Sequence, residues 1–262
     1  MKRIFITGAS AGIGLATAKL LAAQGHEVWG TSRDVKRIPV IPRLHPVALE
    51  LRDRQSLAVT FQNALQEAGR FDVVINNAGS GHFGPAESIS HDDLTDFFQI
   101  LVFAQIELMQ LALRSMRDHG GVIINVSSLA SRLPVPYMAV YNSAKAALAS
   151  FTMSMQLELE GKNIRLVDLQ PADISTNFND VIAKSDNNDA RVGKTFQAVD
   201  RNMKKAPKPE LVANRILKLI DEKNPPPRVT IGDAFQSIVA PLIFRALPQR
   251  VRLWGLKKYY GI

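Results

Sequence analysis

The chain has 262 residues, which is enough to bury a sizeable core as one α/β domain. It contains no cysteine, so disulfide bonds and thiolate metal sites are excluded, and its five histidines lack metal-ligand spacing. The formal net charge is +8, and residues 225–262 contribute six basic residues against one acidic residue. We therefore expect no metal centre, and the basic tail needs an explanation of its own.

The predicted elements alternate between strands and helices in chain order. The hydrophobic pattern predicts strands at residues 3–7, 27–32, 44–51, 72–76, 122–127, 164–169 and 228–231. It predicts helices at residues 13–24, 92–117, 140–159 and 209–222, and one more after the N-cap residue Asp53. Strands separated by helices of about ten or more residues are typical of a doubly wound parallel sheet. We therefore predict an α/β fold of about seven parallel strands with helices on both faces, as one domain over residues 1–262.

The stretch from Asp173 to Lys208 shows no clear period and is rich in Asn, Asp and Lys. It follows the sixth predicted strand, at an edge where parallel sheets commonly place their binding sites. We interpret residues 173–208 as an irregular flap over such a site rather than as a domain boundary.

The N-terminal residues lead directly into the first predicted strand and do not resemble a secretory signal. We find no run of about 18 apolar residues, so no spanning helix is expected. Both observations favour a cytoplasmic location.

A glycine-rich loop joins the first strand to the first helix. Gly8, Gly12 and Gly14 follow the spacing G-x-x-x-G-x-G. Glycines permit a tight turn and close backbone approach, and a helix N-terminus favours an anion. The loop therefore predicts a dinucleotide pyrophosphate site, with a purely structural turn as the alternative.

Tyr141 and Lys145 lie four residues apart on a predicted helix, so both side chains share one face. A nearby positive charge favours the phenolate, so we expect the pKa of Tyr141 to fall below its usual value of about 10. Ser128 lies thirteen residues upstream, where the fifth predicted strand ends. The alternative is that Ser128 only caps a strand end and Tyr141 is an interface aromatic.

Together and in this order, these motifs resemble the short-chain dehydrogenase/reductase family in its single-domain form. The resemblance is close over residues 3–176 and looser over 209–232. It also includes the segment Asn76-Asn77-Ala78-Gly79 and the turn at Pro171. It implies a Rossmann-like fold and an enzyme that interconverts a carbonyl and an alcohol by hydride transfer.

The resemblance implies a role for each matching residue. Tyr141 is expected to act as acid/base, Ser128 to orient and polarise the substrate oxygen, and Lys145 to bond the nicotinamide ribose. Besides Tyr141 and Lys145, the expected cofactor-binding residues are Gly8, Ser10, Gly12, Ile13, Gly14, Arg33, Leu51, Asn77, Gly79, Ile174 and Thr176.

The end of the second strand bears on cofactor choice. Relatives that use NAD place an acidic residue here, whereas this chain has Ser32 and Arg33. An arginine can pair with the 2′-phosphate of NADP through its guanidinium group. We therefore predict NADP(H), with NAD(H) second, and a solvated loop arginine as the alternative.

One position departs from the family pattern. The long helix usually carries an asparagine of a proton relay, and the apolar pattern places Leu101 there. Two readings stay open. The chain is an NADPH-dependent carbonyl reductase or alcohol dehydrogenase, or it is an NADP(H)-binding regulatory or scaffold protein with weak catalysis.

The flap and the C-terminal segment 233–262 supply many large apolar residues. They are Phe178, Val181, Ile182, Phe196, Phe235, Ile238, Leu242, Ile243, Phe244 and Trp254. Such a lining suits a lipophilic ketone, aldehyde or alcohol of steroid-, retinoid- or fatty-like kind. The alternative is that the tail residues close the core or a subunit contact.

Partners follow from the resemblance and the charge. Family members commonly pair through the helices predicted at 92–117 and 140–159, so a homodimer or homotetramer is expected. The basic, apolar tail could lie on an anionic membrane or be a solvated face. No DNA or RNA motif is present, so no nucleic-acid partner is expected.

Overall fold

The computed structural model describes residues 1–178, 182–184 and 189–262. Its strands are β1 (Arg3–Ile6), β2 (Glu27–Ser32), β3 (Leu44–Ala48), β4 (Val73–Asn76), β5 (His82–Phe83), β6 (Gly121–Val126), β7 (Ile164–Pro171), β8 (Ala183–Lys184) and β9 (Arg228–Ile231). Its α-helices are α1 (Gly12–Ala23), α2 (Arg54–Ala68), α3 (His91–Phe98), α4 (Ala104–Ser115), α5 (Ala139–Glu158), α6 (Ala190–Lys205), α7 (Glu210–Asp221), α8 (Ala240–Ala246) and α9 (Gln249–Tyr260).

Seven strands form one parallel sheet in the order β3-β2-β1-β4-β6-β7-β9. The strand order reverses beside β1, where the chain passes from one half of the sheet to the other. Loops that leave the carboxyl ends of β1 and β4 therefore meet at a topological switch point, which is where open α/β sheets bind ligands. The predicted fold class is confirmed.

The core has one layer on each face of the sheet, because alternate strand residues point to opposite sides. In β1, Ile4 and Ile6 pack in one layer with Ile216 of α7. Phe5 packs in the other layer with Phe61 of α2. Burial on both faces explains why the central strands β1, β4 and β6 are mostly apolar.

The flap is not irregular throughout, so that part of the prediction is wrong. Helix α6 spans Ala190–Lys205, and Val192, Phe196, Val199 and Met203 recur on one helical face and join one apolar cluster. Polar residues between these positions hid the helical period in the sequence. Residues 179–181 and 185–188 of the flap, and with them Val181, lie outside the described residues.

The long central helix is interrupted at its middle. Helices α3 and α4 are joined by a π-helical turn, Gln99–Phe103, with Leu101 at its centre. The run His91–Ser115 is long and apolar enough to cross a membrane, contrary to our expectation, but 56% of its apolar window is buried inside the fold. It packs as a core helix would, and π-turns inside helices frequently mark functional sites.

Candidate active site

The glycine loop adopts backbone conformations that favour glycine. Gly8 and Gly12 have φ values of +74° and +52°. A Cβ at Gly8 would lie 2.9 Å from the Cα of Ala78, and one at Gly14 would overlap the carbonyl oxygen of Gly8. The loop is therefore packed against the chain that leaves β4, and side chains are excluded from both contacts.

The N-terminus of α1 fits an anion. Its N-cap residue, Ala11, makes no side-chain cap, and its first turn contains no acidic residue. The first N–H groups of the helix thus keep their hydrogen-bonding capacity for a ligand such as a pyrophosphate. Ser10 and Ile13, both half-buried, flank this terminus as predicted.

A second segment, after β7, reaches the same loop. A Cβ at Gly12 would lie 3.4 Å from the Cγ2 methyl of Thr176, so Thr176 borders the glycine loop. Ile174 is buried in the core layer that also contains Ile4. Its side chain therefore anchors the segment, and only its backbone is available to a cofactor.

Asn77 has a bracing contact that the sequence did not reveal. Its Nδ2 donates to the carbonyl of Thr7 at 2.9 Å. In return, the backbone N–H groups of Asn77 and Ala78 donate to Thr7 Oγ1 at 3.0 and 2.9 Å. Thr7 and Asn77 thus hold together the two loops that meet at the switch point. Asn77 has its amide committed to this brace.

The three predicted catalytic residues come together at the carboxyl end of β6. The Ser128 hydroxyl lies close enough to Tyr141 to act on its phenol and favour the phenolate. Lys145 Nζ lies 5.9 Å from the centre of the Tyr141 ring and donates to the carbonyl of Val126 at 2.7 Å. A Cβ at Gly79 would lie 3.9 Å from this Nζ, so the segment after β4 borders the same place.

The electrostatics of the pair differ from our expectation. Burial raises the pKa of Tyr141, the hydrogen bond from Ser128 opposes this, and the charge of Asp173 raises it further. Burial also lowers the pKa of Lys145 to about 8, against the attraction of Asp168. Sequence spacing identified the shared helix face, but desolvation outweighs the attraction between the two groups. The predicted lowering of the Tyr141 pKa is wrong in this structure.

Leu101 lies next to Tyr141, at the position that the apolar pattern predicted for it. Its side chain is fully buried and packs with Ala144 and Tyr141. Its Cδ2 would lie 3.4 Å from a Cβ at Gly79. The relay position therefore presents a hydrocarbon group to the site.

The nearest amides do not replace the missing one. Gln105 Nε2 donates to the carbonyls of Ala78 and Ile100 at 3.1 and 3.0 Å. Gln99 Nε2 donates to the carbonyl of Leu51 at 3.1 Å. Leu51 itself lies in the core layer around Phe61, so its side chain packs inside the fold.

A buried polar network beneath the site was missed by the sequence reading. Asp168 of β7 is 1% exposed and accepts hydrogen bonds from Ser127 Oγ, from Gln170 Nε2 at 2.7 Å and from Arg228 Nε at 2.8 Å. Its charge favours the ammonium form of Lys145. Polar residues at alternate positions of an otherwise apolar strand, Asp168 and Gln170, were the available signal.

Arg33 lies at the end of β2, beside the glycine loop. The carbonyl of Thr31 accepts from the N–H of Ala9 at 2.8 Å, which fixes this strand end to the loop. Arg33 is exposed, and within the described ranges no acidic side chain pairs with it. Its guanidinium group is thus available to a ligand.

An apolar wall stands over Tyr141. The rings of Tyr141 and Phe178 are 5.6 Å apart, and Phe178, Ile182 and Phe196 pack with Phe83 in one cluster. The strand pair β5–β8 ties this part of the flap to the chain after β4. Three of the flap residues predicted to line a substrate site, Phe178, Ile182 and Phe196, thus share one cluster with Tyr141.

The tail contributes differently from the prediction. Phe235, Ile238, Leu242, Ile243 and Trp254 are 50–65% exposed, and Phe244 stacks with the guanidinium of Arg252. These side chains therefore lie on the surface. The tail residue that joins the apolar wall is Tyr260.

Replacing Lys145 should change how stability depends on pH. Folding lowers the Lys145 pKa from 10.5 to about 8, so the native state holds the proton less tightly than the unfolded chain. This destabilises the protein by about 3 kcal/mol below pH 8, and the penalty disappears as pH rises to about 10.5. The advantage of Lys145→Met in unfolding free energy should therefore shrink by about 3 kcal/mol between pH 7 and pH 10. Urea unfolding of both proteins measures it, and a pH-independent difference would refute the buried ammonium.

Comparison with known proteins identifies the family of the chain. The family described as short chain dehydrogenase matches residues 2–187. The chain is 28% identical to a 3-ketodihydrosphingosine reductase of Bacteroides thetaiotaomicron, over 99% of this chain and 98% of that protein. It is 30% identical to the uncharacterized oxidoreductase YusZ of Bacillus subtilis, over 94% and 93% of the two chains.

Solved structures show the same fold. A short-chain dehydrogenase from Streptomyces avermitilis superposes with a TM-score of 0.83 at 29% identity, over 98% of this chain and 96% of that one. Solved structures of similar fold include complexes with NADP and with NAD, so likeness alone does not choose between them. The match over residues 2–187 identifies the chain as a member of the short-chain dehydrogenase family, whose members bind nicotinamide cofactors.

Proposed function

We propose that this protein is an NADP(H)-dependent oxidoreductase that interconverts a lipophilic carbonyl compound and its alcohol. The observation that carries the proposal is the grouping of Ser128, Tyr141 and Lys145: the Ser128 hydroxyl acts on the Tyr141 phenol, and Lys145 Nζ lies 5.9 Å from the Tyr141 ring. Two hydroxyls beside a cation form a site that can hold and protonate a carbonyl oxygen.

In this proposal the cofactor loop and the three polar residues have separate roles. The glycine loop and the N-terminus of α1 would hold the nicotinamide cofactor, which would supply or accept the hydride when bound. Ser128 and Tyr141 hold the substrate oxygen, and Tyr141 gives it a proton during reduction. Because burial raises the pKa of Tyr141, the phenol is protonated at neutral pH and ready to act as the acid.

A long-chain ketone suits the site. The apolar wall of Phe178, Ile182 and Phe196 borders Tyr141, so a hydrocarbon chain can replace water there. The relative in Bacteroides thetaiotaomicron is named as a reductase of 3-ketodihydrosphingosine, a ketone of this kind. Among lipophilic carbonyl compounds, we therefore favour fatty ketones over steroids and retinoids.

A second candidate is a NADP(H)-binding regulatory or scaffold protein with weak catalysis. The observation in its favour is Leu101, which puts a buried hydrocarbon beside the Tyr141–Lys145 pair. Tight NADPH binding by a folded protein that reduces none of a panel of lipophilic ketones would favour this candidate over the first.

We also propose a homodimer or homotetramer, because members of the family are typically oligomeric. Phe103, beside α4, and Met153 and Leu157 of α5 are 51–78% exposed, so the two helices offer apolar contact surface. Sedimentation velocity tests this, and a monomer at micromolar concentration would contradict it.

The tail surface suggests peripheral contact with the cytoplasmic face of a membrane. We define the tail surface as the exposed side chains of the π-helical turn Phe235–Val239, α8 and α9. Its apolar members include Leu242 and Trp254, 65% and 63% exposed. Its basic members are Arg245, Arg250, Lys257 and Lys258. Exposed apolar groups together with cations suit an anionic bilayer, from which a lipophilic substrate could enter directly.

Removing the Tyr141 hydroxyl should lower turnover strongly without disturbing the fold. In Tyr141→Phe we expect kcat for ketone reduction to fall about 100-fold or more, because the proton donor is lost, while NADPH binding persists. NADPH oxidation with long-chain ketones measures it. The matched control is Tyr137→Phe, four residues earlier and just before α5 begins, which should stay within about threefold of wild type. Full activity in Tyr141→Phe would overturn the proposed mechanism.

Cofactor choice should depend on Arg33. In Arg33→Ala we expect kcat/KM for NADPH to fall about tenfold or more, with NADH changed less than about threefold, because a charge-assisted contact to the 2′-phosphate is lost. Arg37→Ala removes the same charge four residues later and serves as the control. Equal losses with both cofactors in Arg33→Ala would contradict NADP(H) specificity through this residue.

Membrane contact should depend on the tail surface. We expect wild-type protein to sediment with vesicles that contain phosphatidylserine. The double variant Leu242→Glu/Trp254→Glu should lower the partition coefficient about tenfold or more, because two apolar side chains no longer enter the interface. Val59→Glu, at an exposed apolar position of α2, is the control. Equal pelleting of all three proteins would exclude this contact.

A further inference from the structure

Asp173 is an acidic residue that the proposed chemistry does not use. It follows β7 by two residues, at the same edge of the sheet as Ser128, which follows β6. It is half-buried, and its charge acts on the phenol of Tyr141. A carboxylate is thus placed within electrostatic reach of the group that handles the substrate oxygen.

The carboxylate is held in place by the tail. Gln236 Nε2 donates to Asp173 Oδ2 at 2.7 Å, and Gln236 Oε1 accepts from the Asp173 N–H at 3.2 Å. The same Nε2 also lies 3.2 Å from the Tyr259 hydroxyl, to which Asn202 Nδ2 donates at 3.1 Å. One amide therefore fixes both the backbone and the side chain of Asp173.

No cation balances this charge. Within residues 1–178, 182–184 and 189–262, Asp173 forms no salt bridge, and Gln236 is the partner of its side chain. The charged neighbour that acts on it is another acid, Asp233, and burial raises the pKa of Asp173. A partly desolvated carboxylate without a cation is costly, and such groups in a cleft are candidates for function.

The surroundings define what the carboxylate could take. Tyr260 and Phe178 belong to the apolar cluster that includes Tyr141, and the charge of Asp173 acts on both tyrosines, so a carboxylate lies beside a hydrocarbon wall. A substrate that satisfies both has an apolar chain and a positive or hydrogen-donating group near its carbonyl. An ammonium group supplies the missing positive charge directly.

We propose that Asp173 binds the ammonium group of a long-chain amino ketone, with the amine within a few bonds of the carbonyl that Ser128 and Tyr141 hold. This inference rests on the proposed reductase function and names its substrate class. Asp173 is a substrate-binding residue in this role, and Gln236 is its positioning residue.

Matched ketones test the proposal in the full-length protein with NADPH. They are a long-chain 2-amino-3-ketone, its N-acetyl derivative and the same ketone without nitrogen. Wild type should prefer the amine by about tenfold or more in kcat/KM, because a site built for a polar group rejects analogues without it. Asp173→Asn should lose about tenfold or more on the amine and less than about threefold on the plain ketone. Asp118→Asn, at an exposed acid that follows α4, should preserve the preference.

Two results would overturn the proposal. An equal loss on amine and plain ketone in Asp173→Asn would indicate a role in proton transfer or structure. A wild type without preference for the amine over its N-acetyl derivative would exclude ammonium binding even if the variant failed to fold.

A binding measurement separates this inference from the proposed function. If folded wild type reduced none of the three ketones, the reductase proposal would fail. Calorimetry with a long-chain 2-amino alcohol as the probe, in the presence of NADPH, would still decide the role of Asp173. Binding about tenfold weaker in Asp173→Asn would support it, and equal binding would refute it.

Discussion

The burial of Lys145 is the constraint on which the site depends. Its Nζ donates to the carbonyl of Val126 at 2.7 Å, which ties α5 to the last residue of β6. Tyr141 lies four residues earlier on the same helix. The Lys145 contact therefore also fixes how far Tyr141 lies from the sheet edge, where it is close to Ser128. The bond satisfies a buried ammonium and a strand-end carbonyl together. The catalytic geometry is therefore an outcome of how the helix docks.

The same burial sets the protonation of the site. Desolvation favours the neutral form of every ionisable group, so it raises the pKa of Tyr141 and lowers that of Lys145. The charge of Asp168, beneath the sheet edge, opposes the lowering of the Lys145 pKa. The charge of Asp173, on the side of the tail, adds to the rise of the Tyr141 pKa. Burial and the Asp173 charge thus both keep the phenol protonated. A protonated phenol suits the proposed reduction, in which it would give a proton to an alkoxide.

Much of this could be predicted from local sequence. Strands β1, β4 and β6 are mostly apolar, and Gly8, Gly12 and Gly14 lie between a strand and a helix, so the fold class and the glycine loop could be predicted from pattern. The Tyr141–Lys145 spacing is a property of one helix and was equally visible. Helix α6 was not, because Val192, Phe196 and Val199 are diluted by polar residues in a stretch of sixteen. The period was present, but composition concealed it.

What could not be predicted depends on contacts between distant segments. Asp168 and Arg228 are sixty residues apart and meet because β7 and β9 are neighbours in the sheet. The Thr7–Asn77 brace likewise requires the order of β1 and β4. The predicted direction of the Tyr141 pKa shift was wrong for the same reason. Residue spacing gives the distance to one cation but does not give the dielectric of the surroundings.

Leu101 connects the departure from the family pattern to the chemistry of the site. Its fully buried side chain packs against Ala144 and Tyr141 from a π-helical turn, so hydrocarbon covers one side of the phenol. A hydrocarbon offers no hydrogen bond to a phenolate and excludes the water that would. It therefore acts in the same direction as the apolar wall formed by Phe178 on another side. Leu101, at the position of the family's amide, thus contributes to the apolar enclosure whose burial raises the pKa of Tyr141.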